Sequence, residues 1–218
     1  LEIGGAERAL IGLLNALDPK KVNVDLFVNQ HTGEFMKLIP DYVNLLPESG
    51  RYASIETPMV RALKRGNVDI VTARLLARFT HWRYRRRLKL LADQDDASIF
   101  YYVARYTTPL LPTLKKYGEY DLAISFLAPH QIVRDKVAAR VKLAWIHTDY
   151  SISKVNTEAE LPIWDAYDKI VSISSDVTKT FMREFPSLAS KIIEIENIMS
   201  PKFVRDMADE FDASAEFC

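Results

Sequence analysis

Val141-Lys142-Leu143-Ala144-Trp145-Ile146 runs largely apolar and then stops at His147-Thr148-Asp149-Tyr150, the form of a parallel strand that ends in a polar loop. Similar units lie on both sides of it. Upstream, Leu122 to Phe126 reads as a strand and Gln131 to Ala139 as the helix joining the two. Downstream, beyond the polar loop, Lys169 to Ile173 reads as a strand, Asp176 to Glu184 as a helix and Lys191 to Glu196 as a strand. Strand and helix in alternation, with near-continuously apolar strands, predict an α/β fold: a Rossmann-like, doubly wound parallel sheet covered by helices.

Nearer the start, Gly4-Gly5 opens a helical spacing of Ala6, Leu10, Leu13, Leu14 and Leu17, which Asp18-Pro19 closes. Val22 to Val28 alternates like a short strand, Val43 to Leu46 reads as a second one, and Ser49 to Pro58 reads as loop. Pro58 to Leu91 is rich in helix formers with a break near Gly66-Asn67, and Ile99 to Lys116 is helical with interruptions at Pro109 and Pro112. These are expected to be helices inserted between strands. A doubly wound sheet needs a central first strand, which is expected just before Ile3; Gly4-Gly5 then forms the turn from that strand into the first helix. One domain over residues 1–205 is expected, followed by a linker or tail over 206–218.

The chain has 218 residues, of which 48% are hydrophobic, enough for one sizeable core. Lys plus Arg and Asp plus Glu both total 29, so the overall charge points to neither a nucleic-acid coat nor an acidic-ligand scavenger. Cys218 is the single cysteine; it cannot form an internal disulfide, which fits a cytoplasmic protein. No apolar run approaches the ~20 residues of a spanning helix, so a soluble or at most peripheral protein is expected.

Charge becomes informative locally. Arg61 to Lys89 holds ten Lys or Arg residues and one acid, Asp69, interleaved with Leu75, Leu76, Phe79, Trp82, Tyr84 and Leu88. Such a segment suits an anionic membrane surface better than nucleic acid, because no base-reading motif accompanies it; a solvated helix face is the blander reading.

The candidate site residues sit at strand ends and turns. Gly4 and Gly5 allow close backbone approach or positive φ, and the free N–H groups of the following helix suit a diphosphate. Glu7 lies in the first turn, where its carboxylate favours the helix dipole. His147 and Asp149 follow a strand's carboxyl end, where ligands of such sheets bind: an imidazole there can hydrogen-bond a sugar hydroxyl or phosphate oxygen, and Asp149 can orient it or hold an acceptor hydroxyl. His130, after Pro129, also lies at a strand end. Asn197 follows the last strand with an amide that both donates and accepts. Ser174 or Ser175 is expected to cap the next helix, and no glycine-flanked nucleophile elbow surrounds either.

Three segments together resemble the N-terminal domain of family 4 glycosyltransferases, retaining enzymes of bacterial surface-glycan synthesis with the two-domain GT-B architecture. They are Ile3-Gly4-Gly5-Ala6-Glu7-Arg8; Trp145-Ile146-His147-Thr148-Asp149; and Ile170-Val171-Ser172-Ile173-Ser174 leading to Ile193-Glu194-Ile195-Glu196-Asn197-Ile198. The resemblance implies that the chain is the acceptor-side half of such an enzyme. Gly4 and Gly5 would lie near the donor diphosphate and His147 would face the transferred sugar. Asn197 is followed by Ile198 where the family has Gly or Pro, which loosens its assignment. The substrates implied are a nucleotide sugar and a glycan or lipid-linked acceptor, with no metal or other cofactor. Transfer would rest on positioning and on stabilising the leaving diphosphate, with no general base evident in this half. The reading set against it is a non-catalytic binding or scaffold domain on the same sheet.

Overall fold

The computed structural model describes residues 4–89 and 96–198. The described residues divide into two compact units, one made of residues 4–48 with 197–198 and the other of residues 49–89 with 96–196. The central first strand expected before Ile3 and the tail expected at 206–218 lie outside the described residues.

In the first unit, helix α1 (Gly5–Ala16) follows Gly4, and a 3-10 turn (Glu34–Leu38) separates strands β1 (Asp25–Leu26) and β2 (Asn44–Leu45), which pair in parallel. The Val22 to Val28 alternation thus yields only two paired residues, because its partner strand is itself two residues long. Ile11 and Leu14 on one face of α1 pack with Phe35 and Val43 into the unit's core. The Tyr42 hydroxyl donates to the Leu14 carbonyl, one of the last-turn acceptors that a helix leaves unsatisfied. Gly12 is required by close approach: a Cβ there would stand 1.8 Å from the Ile198 carbonyl oxygen. Gly12→Ala is therefore expected to lower stability by about 1–3 kcal/mol despite alanine's better helix propensity. Gly5→Ala, with open space around it, should be near neutral in the same thermal melts.

The second unit contains a four-stranded sheet of β3 (Glu119–Ser125), β4 (Ala138–Ile146), β5 (Lys169–Ser172) and β6 (Ile192–Glu194). All neighbours are parallel and the order is β3-β4-β5-β6. This is an α/β fold with a helix-flanked parallel sheet, Rossmann-like as expected. The strands advance one way across the sheet, as in one wing of a doubly wound fold. Ile170, Val171 and Ser172 of β5 are all fully buried, which explains why that strand reads as an unbroken apolar run rather than an alternating one.

Helices α2 (Gly50–Glu56), α3 (Met59–Lys64), α4 (Val68–Leu88) and α5 (Ser98–Thr107) precede the sheet, and α6 (Gln131–Lys136), α7 (Thr157–Trp164) and α8 (Ser175–Glu184) connect its strands. Two of these correct the sequence reading. The expected loop from Ser49 to Pro58 contains α2, which buries Tyr52, Ala53 and Ile55; burial of that apolar group outweighs the breakers flanking it. The polar loop after β4 contains α7, capped by Asn156, whose Oδ1 accepts the Ala159 N–H at 3.2 Å. Helix α6 is also shorter than expected, because Ala138 and Ala139 begin β4. Ser174 caps α8 as anticipated, accepting the Val177 N–H at 3.2 Å.

The core beside the sheet is aromatic: Tyr150, Trp164, Tyr167, Phe181 and Phe185 surround Ala144, Ile146 and Ile170. Trp164 meets Phe181 edge-on at 5.0 Å, a geometry favoured by the ring quadrupoles. Helix α4 is fixed against its neighbours by polar groups. Arg74 donates to the carbonyls of Ser54 and Thr57 at the end of α2. At its other end, His81 Nε2 lies 2.8 Å and Arg85 3.6 Å from the fully buried carboxylate of Asp96, which also accepts the Ser98 N–H at 3.0 Å. Burial alone would raise the Asp96 pKa, but the hydrogen bonds from Ser98 and His81 more than offset it and hold it below its ordinary value.

Candidate functional site

Strands β3 and β4 end side by side, with Ser125 paired to Ala144, and the loops leaving their carboxyl ends enclose a cavity of about 420 Å³. The first loop passes through the cis Ala128–Pro129 peptide to His130. The second begins at His147. Residues of both loops line the cavity together with parts of α5 and α7, so the residues that could act on a ligand come from four separate segments of chain.

Buried His130 places its Nδ1 2.8 Å from Ser125 Oγ and its ring 4.4 Å from that of Trp164. Burial, with a smaller contribution from His147, pulls its pKa down to about 3. Its carbonyl accepts from the Tyr167 hydroxyl. These contacts give His130 a structural anchor as well as a place in the cavity wall. The His147 ring packs 4.6 Å from that of Phe126, and burial lowers its pKa to about 4. Both imidazoles are therefore neutral near pH 7, and each can donate through one nitrogen and accept through the other.

His147 Nε2 and Trp145 Nε1 are buried and have no hydrogen-bond partner among the described residues. A buried polar nitrogen without a partner costs free energy that a ligand's oxygen can recover. Asp149 also lines the cavity, but its Oδ1 accepts the Ser151 N–H at 2.8 Å and its pKa is lowered by that residue. It shapes the turn that carries the loop.

Glu160 is the functional candidate that the sequence reading missed. It lies on α7 and lines the same cavity. Burial raises its pKa to about 7; hydrogen bonds with Trp164 and with the Asn156 backbone oppose that rise, and the charge of Asp96 adds to it. A carboxyl group that gains and loses its proton near neutrality is thus present in this wall. Asn156, followed by Glu158 and Glu160, is the capping signal that announces the helix; Pro162 inside it masks the pattern.

Gly4, Gly5 and Asn197 belong to the other unit. Gly4 has φ −150°, an extended conformation open to any residue, and Gly5 begins α1. Neither is among the positive-φ glycines, so the positive φ allowed for in the sequence reading is not used. A Cβ at Gly4 would lie 2.3 Å from Glu7 Oε2, the tip of a flexible side chain that can move aside, so the backbone does not require glycine there. Asn197 is exposed.

Among the described residues, no three His, Cys, Asp or Glu side chains form a group suited to a metal ion, and no helix is long and apolar enough to cross a membrane. Comparison of the chain with protein-family models, curated proteins and solved structures finds no match. The site's own geometry therefore carries the functional argument. It combines two unpartnered buried nitrogens, a carboxyl group near its pKa, and walls from Phe100, Tyr101 and Ile152. That set suits a polyhydroxylated ligand whose ring has both polar edges and apolar C–H faces.

Proposed function

We propose that this chain is the acceptor-side half of a GT-B retaining glycosyltransferase, transferring a sugar from a nucleotide-sugar donor to a glycan or lipid-linked acceptor in bacterial surface polysaccharide synthesis. The observation that carries the reading is the cavity at the carboxyl ends of β3 and β4, where His147 presents a neutral, buried and unpartnered Nε2. Ligands of open parallel sheets bind at that end. A neutral imidazole can hydrogen-bond a sugar hydroxyl as donor or as acceptor.

In this reading the anomeric C–O bond to the donor diphosphate breaks and a C–O bond to the acceptor oxygen forms on the same face of the sugar. The acceptor's hydroxyl proton passes to the departing phosphate oxygen. The protein supplies alignment and hydrogen bonds that strengthen as charge develops on the leaving group. His147 would hold the transferred sugar, while His130 and Asp149 would border the acceptor. Double winding of the sheet and a second, nucleotide-binding domain belong to the same proposal.

The test is release of nucleoside diphosphate by the full-length gene product, supplied with a panel of nucleotide sugars and a lipid-extract acceptor. His147→Ala is expected to reduce acceptor-dependent release at least about tenfold, or ~1.4 kcal/mol of transition-state stabilisation, without a matching fall in melting temperature. Release that is insensitive to the substitution removes His147 from the site. Absence of release with every donor favours the non-catalytic binding domain.

A further inference from the structure

Helix α4 has apolar residues on two sides. Its inner side buries Ile70, Ala73 and Ala77. Val68, Leu75, Phe79 and Trp82, separated by seven, four and three residues, fall along its opposite side, and each is between 51 and 55% exposed. Leu76 flanks this row, also exposed. Singly exposed apolar residues are ordinary, but a contiguous row of large ones, two of them aromatic, marks an interaction surface.

The cations of this helix divide in the same way. Arg74 and Arg85 turn inward, to the end of α2 and to Asp96. Arg83 and Arg86 stay with the outer row, their guanidinium groups 5.9 Å from the Phe79 ring and 5.4 Å from the Trp82 ring, while Phe79 and Trp82 stack on each other at 5.9 Å. Arg78 and Arg87 are exposed nearby. Among the described residues, none of these four arginines has a carboxylate within salt-bridge distance.

We propose that the outer face of α4 docks on an anionic lipid bilayer, with Phe79 and Trp82 inserted at the headgroup boundary and Arg83 and Arg86 bound to lipid phosphates. Charge complementarity selects this occupant. A nucleic-acid surface would satisfy the arginines but leave Val68, Leu75 and Leu76 against water, whereas the boundary between headgroups and acyl chains accepts both sets at one depth. The helix lies along the surface, since it is not apolar enough to cross it. The surface is independent of the β3–β4 cavity, and the proposal holds whether or not that cavity serves sugar transfer.

The test is sedimentation of the chain with vesicles of phosphatidylcholine alone and with roughly one quarter phosphatidylglycerol. Binding is expected only to the anionic vesicles and should be largely lost at ~0.5 M salt. Tryptophan emission should shift to the blue on binding, and the shift reports Trp82 because Trp145 and Trp164 are already buried. Phe79→Ser with Trp82→Ser, and separately Arg83→Gln with Arg86→Gln, should each weaken binding roughly tenfold or more. These side chains are exposed, so melting temperature should be retained, and circular dichroism checks it. The proposal is overturned by no binding to anionic vesicles, by equal binding to neutral ones, or by binding that survives both double substitutions. It is equally overturned if the substitutions instead abolish retention on a DNA column, or a concentration-dependent dimer, while vesicles are not bound.

Discussion

Replacing Asp96 by alanine is expected to lower the free energy of unfolding by about 3 kcal/mol, the low end of what is lost when a buried ion pair is broken from one side. The carboxylate is fully buried and joins His81 and Arg85 of α4 to the first turn of α5 through the Ser98 N–H. Without it, His81 and Arg85 remain in place with their main partner gone, and each reaches enough solvent to moderate the loss. Urea unfolding monitored by circular dichroism gives the number. Asp121→Ala is the control, since its ion pair with Arg140 is almost wholly solvent-exposed and should contribute well under about 1 kcal/mol. Equal effects from the two substitutions would show that Asp96 is not a structural pin.

Glu160→Gln is expected to stabilise the protein at pH 8 and to have no such effect at pH 4. The carboxyl pKa rises from 4.5 to about 7 in the fold, chiefly through burial. The folded state therefore holds a proton that the unfolded state releases, and stability falls as pH rises from 4.5 toward 7 and stays reduced above it. At 1.36 kcal/mol per tenfold change in affinity the full effect is ~3 kcal/mol; solvent at the half-buried carboxylate lowers it to about 2 kcal/mol. His130 and His147 act with the opposite sign: buried and neutral, they weaken the fold as pH falls below 6.5. The difference between Glu160→Gln and the native chain, measured at each pH, isolates the carboxylate from that background. A gain of equal size at pH 4 and pH 8 would sink the assignment. Because the Asp96 charge helps to raise the Glu160 pKa, Asp96→Ala should also lower the pH at which this loss is complete and reduce its size.

The parallel sheet was legible because its strands are apolar runs ended by polar residues, as at Ile146-His147 and Ser172-Ile173-Ser174. The same rule placed His147 and His130 at a strand end, and the structure brings them to one cavity with Asp149. Helix α2 was not legible, because Ser49-Gly50 and Pro58 are loop formers and only tertiary burial of Tyr52 and Ile55 overrides them. Helix α7, and Glu160 with it, was hidden by Pro162. The Glu160 pKa is lifted by burial in the tertiary fold and, in smaller part, by the charge of Asp96, which is distant in sequence, and no local pattern reports either. The basic character of Arg61 to Lys89 was plain from composition, but its division into arginines that cap or pair and arginines that stay outside is set by tertiary contacts with the end of α2 and with Asp96.

That division fixes how far α4 is rotated about its own axis. With apolar residues on both sides, the hydrophobic effect scarcely distinguishes one angular setting from another half a turn away. Arg74 at one end and the His81–Asp96 contact at the other decide it, in the manner of two keys in a shaft. One residue inserted between Arg74 and His81 would turn one key by about 100° relative to the other, and both could no longer engage together. Tolerance to substitution along this helix should therefore be high at most positions, while tolerance to a change in its length should be low.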